Sequence, residues 1–237
     1  MKNKLLIFFI IISIIIQKML YVLDSNDYLI SFLYGVPVVS SSIVHNLQLI
    51  KWYVPIFFII NYFSGSLDEI LNGYGIVLII RKRNKTELLL KKILTLKITL
   101  VFFVLFQIFI FIFLPYGFKY ESIEKTIIMV LMYYFFLEAI ILIQFYLEFF
   151  VKPQIANIAV NIFMILSIIL TNTFYNSKLI NFLKYVFIPN LGMGFRNGTV
   201  NNEFTVIHYS YGIIIILLLN LTLIVLSINK LRRKDLY

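Results

Sequence analysis

Apolar residues occur along the chain in long unbroken runs, which differ from the short periodic patterns of soluble helices and strands. A helix needs about 20 residues to cross the hydrocarbon core of a bilayer. Six runs are long enough, and they cover residues 5–23, 47–66, 93–116, 127–151, 155–173 and 209–228. The pattern predicts an all-α polytopic membrane protein with six transmembrane helices, forming one domain over residues 1–237.

The second run is interrupted by two residues that are unusual in a membrane span. Lys51 lies near one end, where its ammonium can reach the interface, and Pro55 lies further in. The preceding stretch, residues 28–44, is also apolar but contains Gly35, Pro37 and three consecutive serines. These residues favour a re-entrant or interfacial segment over a seventh span.

The composition agrees with a membrane protein and leaves little room for other domains. Of the 237 residues, 61% are hydrophobic and only 14% are charged. A soluble globular domain has roughly 45–50% apolar residues, and six spans leave only loops outside the bilayer. Cysteine is absent, which excludes disulfides, thiolate metal sites and cysteine nucleophiles.

The net charge of +10 is distributed at the ends of the apolar runs. This distribution is typical of membrane topology, in which Lys and Arg stay in cytoplasmic loops, and it does not indicate nucleic-acid binding. With both termini cytoplasmic, basic residues favour that side by roughly two to one, Arg196 being counted outside. We expect a multi-pass protein of a bacterial plasma membrane, since Ile, Phe, Lys, Asn and Tyr are used heavily.

The predicted cytoplasmic loop from residue 67 to residue 92 is longer than a connection requires. Asp68 and Glu69 open it, and a basic turn at residues 81–85 closes it. Asn84 and Glu87 have the spacing of a capping box, which predicts that a helix begins near Lys85 and continues into the third span. Two interpretations remain open: a topology signal with an interfacial helix, or a docking surface.

This order of features resembles the membrane subunit of ABC-2-type (type V) ABC transporters. The likeness rests on the acidic pair, a glycine, an apolar stretch and the basic turn, and on a basic tail at residues 229–235. It implies a coupling helix between spans 2 and 3 that docks on a separate ATPase, and a second permease copy or paralogue. The implied coupling residues are Glu69, Gly73, Arg81, Lys82, Arg83, Asn84, Lys85, Thr86 and Glu87.

No phosphate-binding loop of the Walker A type occurs in the sequence. We therefore expect no cofactor on this chain. ATP and Mg²⁺ would be bound by the partner ATPase. Candidate metal ligands are also missing, because His45 and His208 lack partners at ligand spacing.

A second interrupted segment precedes the sixth span. Pro189, Gly192 and Gly194 lie in an apolar setting, which favours a broken or re-entrant pair of short helices. By resemblance to ABC-2-type permeases, this segment would dip into the membrane and form part of an outer gate. The alternative is an ordinary interfacial hairpin.

Ionisable residues inside spans are costly and mark candidate sites. Glu138 lies near the middle of the fourth span, where it serves either helix packing or a substrate path. We expect a structural ion-pair group of Lys97, Glu148 and Lys152, since Glu148 precedes Lys152 by four residues. Gln107, Gln144, Asn157, Asn161 and Asn220 are predicted to bridge helices by hydrogen bonds.

These features favour a permease subunit that moves a hydrophobic or amphipathic substrate, such as a membrane-active peptide or a lipid-like molecule. Such a subunit would suit a bacterial peptide or bacteriocin export or immunity system, with export and import both open. The alternative is a standalone immunity or sensory protein that binds a toxin or peptide without transport. An intramembrane enzyme is disfavoured, because the sequence lacks catalytic motifs for that chemistry.

Overall fold

The three-dimensional structure is a computed structural model. It describes residues 2–23, 29–38, 42–71, 85–113, 122–173, 184–200 and 206–233. Helices account for most of this part of the chain, and no strand occurs in it. The chain is therefore all-α over its described residues, as predicted.

Six helices are long and apolar enough to cross a membrane, which confirms the predicted number over the described residues. They are α1 (Lys2–Leu23), α2 (Ser42–Phe63), α4 (Lys85–Phe113), α5 (Ile123–Leu147), α6 (Pro153–Thr173) and α7 (Tyr209–Arg233). The short helix α3 (Asp68–Leu71) follows α2. Two 3-10 helices, Ser31–Leu33 and Ile188–Gly192, lie between α1 and α2 and between α6 and α7.

The ends of the helices follow local chemistry. Helix α4 is described from Lys85 onwards, and the predicted cap Asn84 lies outside the described residues. Helix α5 begins after Ser122, whose hydroxyl accepts from the Lys125 amide at 3.4 Å. The fourth span was predicted to reach residue 151, but α5 ends at Leu147. Residues 148–150 form a turn, and Pro153 starts the next helix, α6, so the helix does not continue through this connection.

Helix α5 is the central helix of the bundle. It contacts α2, α4, α6 and α7 and both 3-10 helices. Residues 136–142 of α5 are all buried, whereas α1, α4, α6 and α7 each expose large apolar side chains. This distribution suits a protein whose outer helices face lipid.

Buried side chains form one large cluster through the bundle and a smaller one at the end where α3 lies. The smaller cluster contains Leu67, Leu71, Leu89, Phe149 and Leu231. It joins α3, the start of α4, the end of α5 and the end of α7. We call this the α3 end, and the 3-10 helices lie at the opposite end.

Helix α2 continues through Pro55. Proline has no N–H, so the carbonyl of Lys51 loses its usual helical donor. The Gln17 side chain of α1 donates to that carbonyl at 3.1 Å. Gln107 in turn donates to Gln17 at 3.0 Å, and the Tyr133 hydroxyl donates to Gln107 at 3.2 Å. One buried polar chain therefore links α1, α2, α4 and α5.

A second polar seam joins α2 to α6. The Tyr53 hydroxyl donates to Asn161, and Asn157 donates to Asn61 at 2.7 Å. Asn161 also donates to Asn157 at 2.9 Å. This asparagine seam confirms the predicted bridging role of Asn157 and Asn161.

The orientation of the bundle can be tested directly because the native chain has no cysteine. Single cysteines replacing Asn3 and Leu236 should be shielded from a membrane-impermeant thiol reagent in intact bacterial cells, because the basic residues favour cytoplasmic termini. A cysteine replacing Ser177 or Asn202 should react. Labelling of all four sites after permeabilisation is the control, and labelling of the termini in intact cells would contradict the orientation.

Candidate functional site

The connection from α2 to α3 is held by a carboxylate from the end of α5. Glu148 accepts hydrogen bonds from the amides of Gly65 at 2.8 Å and Leu67 at 3.0 Å. Gly65 has a φ of 84°, a conformation that a side chain disfavours. Glu148 is buried, and burial raises its pKa while the two amide donors act in the opposite direction.

A second contact ties the two sides of the predicted coupling loop together. Glu69 of α3 and Lys92 of α4 form an ion pair of 2.8 Å. Ile70 and Leu71 bury their side chains in the cluster that contains Leu89. Both ends of the loop are therefore fixed to the spans.

The other predicted coupling residues are described only in part. Gly73, Arg81, Lys82, Arg83 and Asn84 lie outside the described residues. Lys85 begins α4, and Glu87 pairs with Lys91 one turn later, at 2.6 Å, on an exposed face. Thr86, the remaining member of the predicted set, lies in the same first turn.

Glu138 is an ion-pair partner of Lys97 within the bundle. Its Oε1 lies 2.9 Å from the Lys97 Nζ, and the Glu138 side chain is only 2% exposed. The predicted partner of Lys97 was Glu148, and this pairing is wrong. The predicted four-residue pairing of Glu148 with Lys152 needs a continuous helix, but α5 ends at Leu147 and Glu148 binds amides.

The predicted bridging amides behave in two ways. Gln107 and Asn220 bridge helices as expected, Asn220 donating to the Phe135 carbonyl of α5 at 3.2 Å. Gln144 is buried, but neither of its side-chain amide atoms has a hydrogen-bond partner within the described part of the protein. Its bridging role is therefore not supported.

The predicted gate residues lie in a buried segment that packs on α5. A Cβ at Gly192 would come within 2.5 Å of the Phe136 ring, and one at Gly194 within 2.7 Å of Met129 Sδ. Pro189 lies at the start of the same 3-10 helix. These glycines therefore permit close packing of residues 188–194, which we call the outer segment, against α5.

The outer segment is also bound to residues 29–38, the interrupted stretch before α2. The amide of Gly194 donates to the Leu33 carbonyl at 2.9 Å, and that of Phe195 donates to Tyr34 at 3.0 Å. Gly35, with a φ of 72°, packs against Met193. The two interrupted segments form one buried unit at the end opposite α3.

Arg196 is the polar centre of this unit, and sequence reasoning counted it only as an external charge. Its side chain is fully buried. It donates to the carbonyls of Val36 at 2.6 Å and Ile168 at 3.3 Å, and to Asn190 Oδ1 at 3.0 Å. Burial lowers its pKa to about 9, so the guanidinium stays charged at neutral pH.

This polar centre could have been predicted from a group of polar residues in the sequence, namely Asn190, Arg196, Asn197 and Thr199. Asn197 donates to the Leu191 carbonyl at 2.9 Å, and the Thr199 hydroxyl donates to Asn197 at 2.7 Å. Such a dense polar group in an apolar segment indicates a network, because buried polar groups need partners.

Comparison with known proteins places the chain in a family. The match to "Protein of unknown function (DUF2705)" covers residues 10–237. The chain belongs to the DUF2705 family. It is similar to the uncharacterized protein YybK of Bacillus subtilis (strain 168), with 26% identity over 237 residues, 96% of this chain and 94% of the relative. No solved structure matches it significantly. The resemblance to ABC-2-type permeases stays a prediction.

The Lys97–Glu138 pair predicts a coupled effect on stability. Lys97→Met leaves the buried Glu138 carboxyl without its cation and should lower the free energy of unfolding by about 1–3 kcal/mol, since Lys97 is partly exposed. Adding Glu138→Gln should recover much of this loss. Denaturant unfolding of the purified protein in detergent measures both effects.

The exposed pair Glu87–Lys91 is the matched control for that double-mutant cycle. Its coupling energy should be only about 0–0.5 kcal/mol. Strictly additive losses at Lys97 and Glu138 would contradict the ion pair.

Replacing Arg196 should lower the stability more than replacing Lys97 does. Arg196→Met takes the donor from the Val36 carbonyl and from Asn190 and should cost about 2–4 kcal/mol. Arg196→Lys keeps the charge but loses the planar fork, so an intermediate loss is expected. Unfolding midpoints in detergent measure the series. Arg232→Met, on the exposed end of α7, is the control, and an equal midpoint for both Met variants would refute the role.

Proposed function

We propose that this chain is the membrane permease subunit of an ATP-driven transporter whose ATPase is a separate chain. It moves a hydrophobic or amphipathic substrate, such as a membrane-active peptide or a lipid-like molecule, across the membrane. The observation that carries the proposal is the anchoring of the loop between α2 and α4. Glu148 and the Glu69–Lys92 pair fix both ends of this loop to the bundle.

Anchoring matters because a coupling element has to transmit displacement. A loosely attached loop would absorb the movement of a docked ATPase. Here Glu148 joins the α2–α3 connection to the end of α5, and the packing of Ile70 and Leu71 adds apolar contact with the same end. A force on the loop therefore acts on the central helix.

Helix α5 extends this connection towards the opposite end of the bundle. It carries Glu138 in its buried middle, and its Phe136 lies against Gly192 of the outer segment. One helix thus contacts the anchored loop, the ion pair in its middle and the proposed gate. In this proposal the outer segment is re-entrant, and its displacement opens the path.

The basic turn at residues 81–85 supplies the charge for ATPase docking. Lys and Arg near the membrane surface also attract anionic lipid, so docking needs a test that separates the two roles. A second permease copy or a paralogue completes the path. This part of the proposal rests on the resemblance to ABC-2-type permeases.

Purification of the tagged protein from its native membrane tests the proposal. We expect an ATPase with Walker motifs, identified by mass spectrometry, to co-elute with the native chain. Arg81→Glu/Arg83→Glu should reduce its recovery about tenfold or more, because two charge-assisted contacts of about 1.5–3 kcal/mol each are reversed. Glu87→Lys should reduce recovery less, since Glu87 already pairs with Lys91.

Arg232→Glu/Arg233→Glu is the matched control, since it makes the same charge change outside the loop. If the loop variant recovers as much ATPase as the control variant does, the loop is not the docking site. Absence of any ATPase from the native preparation would favour the standalone immunity or sensory alternative.

A further inference from the structure

A polar cavity of about 130 Å³ opens at the α3 end between α1, α2 and α4. The Glu69–Lys92 pair lies on its wall, together with Thr95, Thr99 and Tyr62. Leu6, near the start of α1, also lines the cavity. The cavity is therefore located where the bundle meets the membrane surface, on the side predicted to be cytoplasmic.

An apolar groove of about 320 Å³ adjoins this cavity. Tyr62 and Thr99 line both spaces, so the two lie side by side. The groove continues along Ile7, Phe103 and Phe106 into the apolar part of the spans. At a rise of about 1.5 Å per residue, Phe103 lies about 16 Å further along α4 than Lys92. Such a groove accepts an alkyl chain.

The polar wall offers a specific combination of groups. Lys92 has three N–H donors, of which Glu69 occupies one, and the Glu69 side chain remains 69% exposed. The hydroxyls of Thr95 and Thr99 donate to helix carbonyls at 2.9 Å, so their oxygens are left to accept. The cavity therefore presents a cation, a carboxylate and hydroxyl acceptors side by side.

This combination fits a zwitterion better than an anion. An anionic headgroup would be attracted by Lys92. It would also be repelled by the Glu69 carboxylate, which lies 2.8 Å from the Lys92 Nζ. A headgroup with a phosphate and a primary ammonium satisfies both charges and supplies N–H donors to the threonine oxygens. Opposite charges on the wall therefore select a complementary pair of charges on the ligand.

We propose that this cavity and groove form a binding site for a phospholipid with a zwitterionic, amine-bearing headgroup. Lys92 binds the phosphate, Glu69 binds the ammonium, and one acyl chain lies in the groove between α1, α2 and α4. The site does not depend on transport or on an ATPase. It goes beyond the proposed function in assigning a resident lipid to the anchored loop.

Native mass spectrometry of the full-length protein in detergent tests the site, with phosphatidylethanolamine, phosphatidylcholine and phosphatidylglycerol of identical acyl chains. We expect phosphatidylethanolamine to be retained about tenfold better than the other two. Phosphatidylcholine tests the N–H donors, since its headgroup has none, and phosphatidylglycerol tests the ammonium charge. Equal retention of the three lipids would overturn the proposal.

Charge variants identify the residues involved. Glu69→Gln should abolish the preference and favour phosphatidylglycerol, because Lys92 is then free to bind an anion. Lys92→Gln should weaken retention of phosphatidylethanolamine. Glu87→Gln and Lys91→Gln change the neighbouring exposed pair, which does not line the cavity, and should leave retention unchanged. Equal effects at the two pairs would refute the assignment.

The groove is tested with a phosphatidylethanolamine that carries a photoreactive group on its acyl chain. Labelled peptides should come from α1, α2 and α4, and Thr99→Trp, which fills the junction of cavity and groove, should remove the label. Labelling spread evenly over the outer helices, or cross-links through the groove to a second copy, would overturn the site. Unfolding midpoints equal to the native value show that a variant remains folded.

Discussion

Backbone groups freed where a helix is interrupted must find partners inside the protein, because the bilayer core offers none. One side chain meets this requirement at each of three interruptions. Gln17 donates to the Lys51 carbonyl that Pro55 leaves free, and Glu148 accepts from the amides after α2. Arg196 donates to the Val36 carbonyl in the stretch before α2. At each interruption, the protein therefore supplies a side-chain partner for the backbone groups.

These three side chains lie in different parts of the molecule, one within the bundle and one at each end. The Gln17 chain of hydrogen bonds lies in the bundle, where it joins four helices. Glu148 makes hydrogen bonds at the α3 end. Arg196 makes hydrogen bonds within the unit formed by the outer segment and residues 29–38. Helix α5 contacts both regions. Helix α5 therefore links the two ends, and the proposed transport cycle would use this connection.

The features predicted correctly from sequence were those that depend on local properties. The number of spans follows from the length of the apolar runs, which requires no knowledge of contacts between helices. The partner of Lys97 was wrong because hydropathy gives approximate depth but does not tell which residue on another helix faces it. The Glu148–Lys152 prediction assumed that α5 continues, whereas Pro153 restarts the helix.

Arg196 shows a different limit of sequence reasoning. A charged residue in a predicted external loop normally contributes to topology, so its burial depends on folding of segments far apart in the chain. Val36 and Arg196 are 160 residues apart. Only the glycines and the polar residues around Arg196 hinted that this loop folds back onto the bundle. Glu69 and Lys92, in contrast, were visible as charges but not as the wall of a cavity.

The asparagine seam has a consequence for the order of assembly during synthesis. Asn61 and Tyr53 of α2 are synthesised 96 and 108 residues before Asn157 and Asn161, their partners on α6. Gln17, in contrast, precedes Pro55 and is already in the membrane when α2 arrives. Helix α2 can therefore complete its own backbone bonding with α1 at once, while its polar face stays open until α6 is inserted. A chain stalled before α6 would expose this face to the insertion machinery.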